Sequence, residues 1–288
     1  KPARFDDVLL APDGRRLAAI ATGANDRRNL LVADMMTGRL SILAAPVTYD
    51  VGNFSWLDSN RLLFNTIKDH VYANGLSCAT VGHFDDNFLL LHYVAATIVG
   101  VPRARPGHAL VLTYQHMAGD LHRATNTLLE LNADWGNADN QAVEHTYRLP
   151  EGDVVTVQGG PDGDLSYSIT FSDGRYKFYR FLRATKSWQA VKINPELISP
   201  MAIDADGKSL WVVTSDATAG YALRRYVFAT GELGPPVLTD AAYNLANSTL
   251  VFSPPTGKLV GISYLQRQWK SVWFDKTYAT AQAAVDRS

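Results

Sequence analysis

Apolar residues along this chain come in short runs that turn residues cut off. Val8-Leu9-Leu10 stops at Pro12-Asp13-Gly14, and Leu17 to Ala21 stops at Gly23-Ala24-Asn25-Asp26. Leu30-Leu31-Val32 stops near Thr37-Gly38, and Leu40 to Leu43 follows. Proline presets φ for a turn, while Asp and Gly tolerate the turn's backbone angles. The four runs predict two hairpins, and so one four-stranded up-and-down sheet the size of a propeller blade. One such sheet cannot bury both of its faces, so the pattern demands repetition.

The pattern does repeat. In the second unit Val51 to Trp56 is followed by the turn Asp58-Ser59-Asn60 and by Leu62-Leu63-Phe64. Beyond Lys68, Asn74-Gly75 reads as a tight turn, and Gly82 to Asn87 reads as a loop before Phe88. The third unit uses Ala95 to Val101, the turn Pro102 to Gly107, Ala109 to Tyr114 and, after a long connection from Gln115 to Ala124, Thr127 to Leu131. In the fourth, Asp153 to Val157, Leu165 to Phe171, Tyr176 to Leu182 and Trp188 to Ile193 surround the turns Gly160-Pro161-Asp162-Gly163 and Ser172-Asp173-Gly174. The fifth turns at Asp204-Ala205-Asp206-Gly207, and its Thr230-Gly231-Glu232 mirrors Thr37-Gly38-Arg39. The sixth has Thr249 to Phe252, Leu259 to Tyr264 and Ser271 to Phe274.

Corresponding turns fall near residues 13, 59, 106, 162, 206 and 256. This spacing predicts an all-β fold, a β-propeller of six four-stranded blades, in this chain alone or within a seven-bladed ring. The blades are expected at about 5–46, 47–93, 94–147, 148–194, 195–240 and 241–288, as one domain. A two-sheet sandwich is the alternative. The sixth unit ends differently. Asp275 suits a helix N-cap, and Tyr278, Ala281 and Val285 share a helical face, so a short helix from Lys276 to Asp286 is expected in place of a fourth strand. Only Lys1 to Arg4 precede the first strand, so Val8–Leu10 is expected to border an incomplete closure covered by sequence outside this chain.

Composition narrows the functional classes. The formal net charge is −1 with 19% charged residues, which argues against nucleic acid and a basic membrane patch as partners. No run approaches the roughly 18 apolar residues of a membrane span. Cys78 is the single cysteine, so no internal disulfide forms.

The residues that carry a family resemblance lie mostly in the first two units. Leu10 to Ala18 (LAPDGRRLA), Asn29 to Asp34 (NLLVAD) and Thr37-Gly38 resemble the opening blade of bacterial prolyl oligopeptidase family serine peptidases, in the acylaminoacyl-peptidase and dipeptidyl-peptidase-like branch. Phe54 to Asp58 with Arg61 to Phe64, Tyr72 to Gly75, and the ending Val272 to Asp275 through Val285-Asp286 are similar to the same branch. The resemblance implies a propeller joined to a C-terminal α/β-hydrolase domain that carries a Ser-Asp-His triad. It implies a propeller that limits access to the active site and helps select peptide substrates. The hydrolase domain is not in this sequence, and neither is the nucleophile elbow G-x-S-x-G. Gly75-Leu76-Ser77-Cys78-Ala79 comes nearest, with Ala in place of the second Gly. No catalytic residue and no cofactor is therefore assigned, and the chain by itself is expected to be non-catalytic. Exported bacterial relatives point toward the periplasm.

Other polar groupings read as ordinary surface. His116, Asp120 and His122 share the long connection Gln115 to Ala124, which is expected to serve as a domain-contact or ligand loop. Their spacing matches no standard metal pattern. Asp134 and Asp139 lie in an Asn/Gly-rich stretch that lacks the alternating carboxylates of a calcium loop. His83, Asp85 and Asp86 show no metal-ligand spacing. Arg27-Arg28 and Arg224-Arg225 are read as solvated basic pairs, and Trp56, Trp211 and Trp273 as packing between blades. A free-standing peptide-binding propeller and a metal-dependent propeller hydrolase are the alternative functions.

Overall fold

The structure is a computed structural model. It describes residues 5–23, 26–68, 71–92, 95–116, 124–135, 141–193, 198–216 and 220–287. The chain divides into two compact units, Lys1–Leu149 and Pro150–Ser288. Each contributes three antiparallel sheets to a six-blade β-propeller.

In the first unit, blade one is β1 (Phe5–Leu10), β2 (Arg16–Thr22), β3 (Arg28–Asp34) and β4 (Leu40–Ala44), paired in that order. Blade two is β5 (Asp50–Trp56), β6 (Arg61–Lys68), β7 (Val71–Thr80) and β8 (His83–Leu91). Blade three is β9 (Ala95–Gly100), β10 (His108–His116), β11 (Ala124–Asn132) and β12 (Val143–Tyr147). One cluster packs Ile20, Leu30 and Val32 of blade one against Val51, Trp56 and Leu62 of blade two. A second packs Leu63, Leu76 and Leu90 of blade two against Ala109, Val111 and Leu131 of blade three. Alternate residues of each strand thus serve successive interfaces, which is how the period-two pattern stacks one sheet on the next.

Arginines that open the second strand of a blade brace it to the following one. Arg16 donates to the Ser59 carbonyl at 2.7 Å and to Asn60 Oδ1 at 2.8 Å. Arg61, in the same position of blade two, donates to Asp58 at 2.7 Å and to Asp134 at 2.5 Å. Asp134, from the Asn/Gly-rich stretch, sits in a 3₁₀ turn, Ala133–Trp135, as an ion-pair partner. Asp139 lies outside the described residues.

In the second unit, blade four is β13 (Asp153–Gly159), β14 (Leu165–Ser172), β15 (Arg175–Leu182) and β16 (Ser187–Val191). Blade five is β17 (Ile198–Ile203), β18 (Ser209–Asp216), β19 (Gly220–Val227) and β20 (Glu232–Leu233), with β21 (Leu238–Asp240) also paired to β19. Gly234-Pro235-Pro236 separates β20 from β21. Proline has no N–H to give a ladder, so the outer strand is split. Blade six is β22 (Thr249–Phe252), β23 (Leu259–Leu265) and β24 (Trp269–Trp273), three strands only. Helix α1 (Lys276–Val285) follows as expected, with the Asp275 carboxylate accepting from the Thr277 and Tyr278 amides. Trp273 lies flat on Gly261 and stacks on Tyr278 at 5.6 Å, joining the helix to β24.

Two local expectations fail in blade two. Asn74-Gly75 is not a turn. The strand β7 runs through it with two extra residues, since Asn65 pairs with Leu76 and Thr66 with Ala73. Gly75 takes φ +97°, and a Cβ there would lie 2.0 Å from the Leu91 carbonyl oxygen. The positive φ that a hairpin turn would use is spent here on a bulge. Likewise β8 begins at His83, so most of the expected loop from Gly82 to Asn87 is strand. The basic pairs are also not simply solvated. Arg225 braces Asp204 at 2.8 Å and Asp206 at 3.3 Å, Arg224 donates to the Gly234 carbonyl, and Arg27 faces Asp50 at 3.6 Å.

Candidate functional site

The first strand of each blade is a terminal strand of its sheet, and five of the six carry a bulge. The extra residue is Asp7 in β1, one of Gly52-Asn53 in β5, Val99 in β9, Val155 in β13 and Met201 in β17. A bulge kinks its strand and re-aims the extra side chain. In β5 the kink is held by a buried asparagine. Asn65 Oδ1 accepts from the Asn53 amide at 2.7 Å, and its Nδ2 donates to the Ala96 carbonyl of β9 at 2.8 Å. Gly52 is required beneath it, because a Cβ there would stand 2.4 Å from Asn65 Oδ1.

Two of these bulges border one cleft. It has a volume of about 380 Å³ and is lined by Asp7, Val8 and Leu9 from β1 and by Asn53 and Phe54 from β5. Val8 and Leu9 are exposed although apolar. Trp56 Nε1 donates to the Leu9 carbonyl at 3.1 Å and ties the two strands together. Asp7 is held at φ +51°. Among the described residues the other non-glycine residues of positive φ are Asp26, Asp173 and Lys186, and all three stand in bends or turns. Asp7 alone stands within a strand, at a backbone cost of about 1 kcal/mol. Its carboxylate, 64% exposed, faces the Arg28 guanidinium at 3.7 Å and makes no hydrogen bond among the described residues.

A second polar grouping lies in blade three. His108, Glu130 and Glu144 bring three ligand-type atoms within 4.8 Å of one another. Register does this. Glu130 pairs with His145 and Leu131 with Val143, so Glu144 is an extra residue turned toward its neighbours. The acceptors are already taken. Arg105 Nη1 sits on Glu130 Oε1, and the Tyr147 hydroxyl donates to Glu130 Oε2 at 2.8 Å. His108 faces Glu144 through Nε2 at 2.6 Å and the Pro106 carbonyl through Nδ1 at 3.0 Å. A dication would have to displace a guanidinium from a buried carboxylate. The donor set therefore fits an internal charge network better than a metal centre.

Most of the loop expected to carry function lies outside the described residues. His116 ends β10, while Asp120 and His122 lie outside the described residues. His83 opens β8. Ser77 is a residue of β7 paired with Phe64, not an elbow. Cys78 beside it is fully buried, and burial pushes its thiol up to about 12.

No family model and no curated protein matches the chain. Solved structures do. TolB from Acinetobacter baumannii superposes with a TM-score of 0.53 and 14% identity, over 95% of this chain and 61% of that one. An oligogalacturonate lyase in complex with manganese gives 0.59 and 16%, over 96% and 78%. The acylaminoacyl peptidase of Pyrococcus horikoshii gives 0.57 and 9%, over 95% and 46%. At these identities the likeness is one of fold, and the chain is a β-propeller. It spans less than two thirds of the TolB chain and under half of the peptidase chain.

Proposed function

We propose that this chain is the accessory propeller of a prolyl oligopeptidase-like serine peptidase, non-catalytic by itself, which restricts and guides peptides toward a hydrolase domain of the same polypeptide. The observation that carries the reading is the end of blade six. The chain leaves a three-stranded sheet as an Asp275-capped helix that touches its own blade through Tyr278 on Trp273 and has no buried residue among those described, so most of its surface is open to a further partner. The blade-one residues Leu10 to Ala18 and the fold shared with a peptidase more than twice as long support the same assignment. The test is the coding sequence beyond Ser288. A downstream segment with G-x-S-x-G between a strand and a helix is expected, and a stop codon in its place overturns the proposal. The isolated chain should hydrolyse no aminoacyl or peptidyl nitroanilide.

A further inference from the structure

One face of blade six is built unlike an interface between blades. Pairing sets Leu265 opposite Trp269, Ser263 opposite Ser271 and Gly261 opposite Trp273, with Thr249 of β22 opposite Ser263. Successive side chains of a strand point to opposite faces. Ile262, Tyr264 and Val272 take the face packed with Val213 and Leu223 of blade five. Thr249, Ser263, Leu265, Trp269, Ser271 and Trp273 therefore share the other. There the hydroxyls of Thr249, Ser263 and Ser271 form a row across the sheet, about 10 Å wide at the usual strand spacing. Ser271 Oγ donates to Ser263 Oγ at 3.3 Å. On one side of the row Trp269 is 67% exposed and Leu265 58%. On the other, Trp273 lies on Gly261 and stacks with Tyr278. The two tryptophans stand about 13 Å apart along β24. We infer that this face binds a short oligosaccharide, with one sugar ring on the Trp269 indole and its hydroxyls on the Thr249–Ser263–Ser271 row. This role is independent of the peptidase reading.

The chemistry separates a sugar from its rivals. The C–H face of a pyranose is apolar and suits an exposed indole beside a few placed polar groups. Sugar hydroxyls both donate and accept, as those of Ser and Thr do, so each contact can form in either direction. A further blade packed here would need apolar rows like Ile262 and Tyr264 on Val213 and Leu223, and it would strand hydroxyls away from water. A single-stranded nucleic acid would also stack on Trp269 but needs cations along its backbone. In this hairpin Lys270 lies over the Tyr264 ring at 5.9 Å, on the opposite face, and Arg267 stands at the tip, so neither crosses the hydroxyl row. A bilayer would take up the Leu265–Trp269 pair and leave the row unused.

Titration of the intact chain with cellotriose, maltotriose and tri-N-acetylchitotriose, followed by calorimetry and tryptophan fluorescence, tests the assignment. At least one sugar should bind saturably with a change in indole emission. Trp269→Ala should weaken that sugar about tenfold, and Trp269→Phe should recover part of the loss. Thr249→Val and Ser271→Ala should each weaken it about fivefold, the worth of one neutral hydrogen bond. Thr249, Trp269 and Ser271 are exposed, so the thermal midpoint should stay at the parent value. Saturation by none of the three sugars overturns the inference, as does equal affinity in the parent and Trp269→Ala. Should Trp269→Ala fail to fold, unchanged affinity in both hydroxyl variants overturns it. Preferred binding of oligodeoxythymidylate or of phosphatidylcholine vesicles, lost in Trp269→Ala, reassigns the face and overturns it as well. The coding sequence beyond Ser288 judges the peptidase assignment separately, so either can fail alone.

Discussion

Replacing Asn65 by leucine should destabilise the protein by about 3 kcal/mol. The side chain is 1% exposed and joins three backbone segments. It accepts from the Asn53 amide at the β5 bulge and donates to the Ala96 carbonyl on β9. Each buried hydrogen bond contributes a net of about 1 kcal/mol, and leaving a partner unmatched out of water adds about 1 kcal/mol or more. Leucine keeps the branched shape of asparagine but is larger, so no cavity forms and crowding against Gly52 adds to the loss. Asn65→Asp should be at least as damaging at neutral pH, since it presents a charge to the Ala96 carbonyl. That loss should shrink on acidification, because burial raises the folded pKa and the neutral acid restores a donor. Urea unfolding followed by tryptophan fluorescence measures both variants, with the slope m as a check that the unfolded state is unchanged. An Asn65→Leu midpoint within about 0.5 kcal/mol of the parent, at equal m, would show that the bulge and the blade contact do not depend on this bridge.

Three further outcomes follow from other parts of the molecule. Cys78, with its thiol raised to about 12 by burial, should resist a maleimide in the native state and react promptly in denaturant; fast native labelling would contradict its placement in the blade-two core. Burial pushes the Asp162 carboxyl up, but the bidentate Arg183 pair outweighs this and holds it below its ordinary value, so the contribution is present above a pH of about 4 and is lost as pH falls through the folded value. Arg183→Gln should accordingly flatten the acid limb of a stability-versus-pH curve, and an unchanged limb would refute the pairing. Asp275→Ala removes the acceptor for the Thr277 and Tyr278 amides and should lower the stability of helix α1 by about 1 kcal/mol, read as faster amide exchange there and nowhere in blade four.

What the sequence made legible was local. Pro12-Asp13-Gly14, Gly160 to Gly163 and Asp204 to Gly207 announce turns because the turn angles are set by the residues within them. Asp275 announced the helix for the same reason. Asn74-Gly75 misleads because a glycine of positive φ serves a turn and a bulge equally. The choice between them is made by the Leu91 carbonyl, a residue on another strand. The bulge at Asp7 has no signal at all, since Phe5-Asp6-Asp7-Val8 reads like any edge strand. The blade-three network was hidden by separation, as His108 and Glu144 meet only through the register of β10, β11 and β12. One clue was present. Glu130 interrupts Leu128-Leu129-Glu130-Leu131, and an acid inside a buried apolar run requires a partner.

The bulges on the first strands carry a consequence for solubility. A terminal strand with free amides and carbonyls is a template on which a neighbouring molecule can build a ladder. A guest strand needs a straight, evenly pleated host, and in five of the six sheets the host carries one residue too many. These edges are defended by shape instead of by charge. That is why Val8, Leu9 and Leu10 can stand exposed on β1 in a protein of near-neutral net charge, and why smoothing the Asp7 kink by deleting that residue should turn a quiet edge into a sticky one.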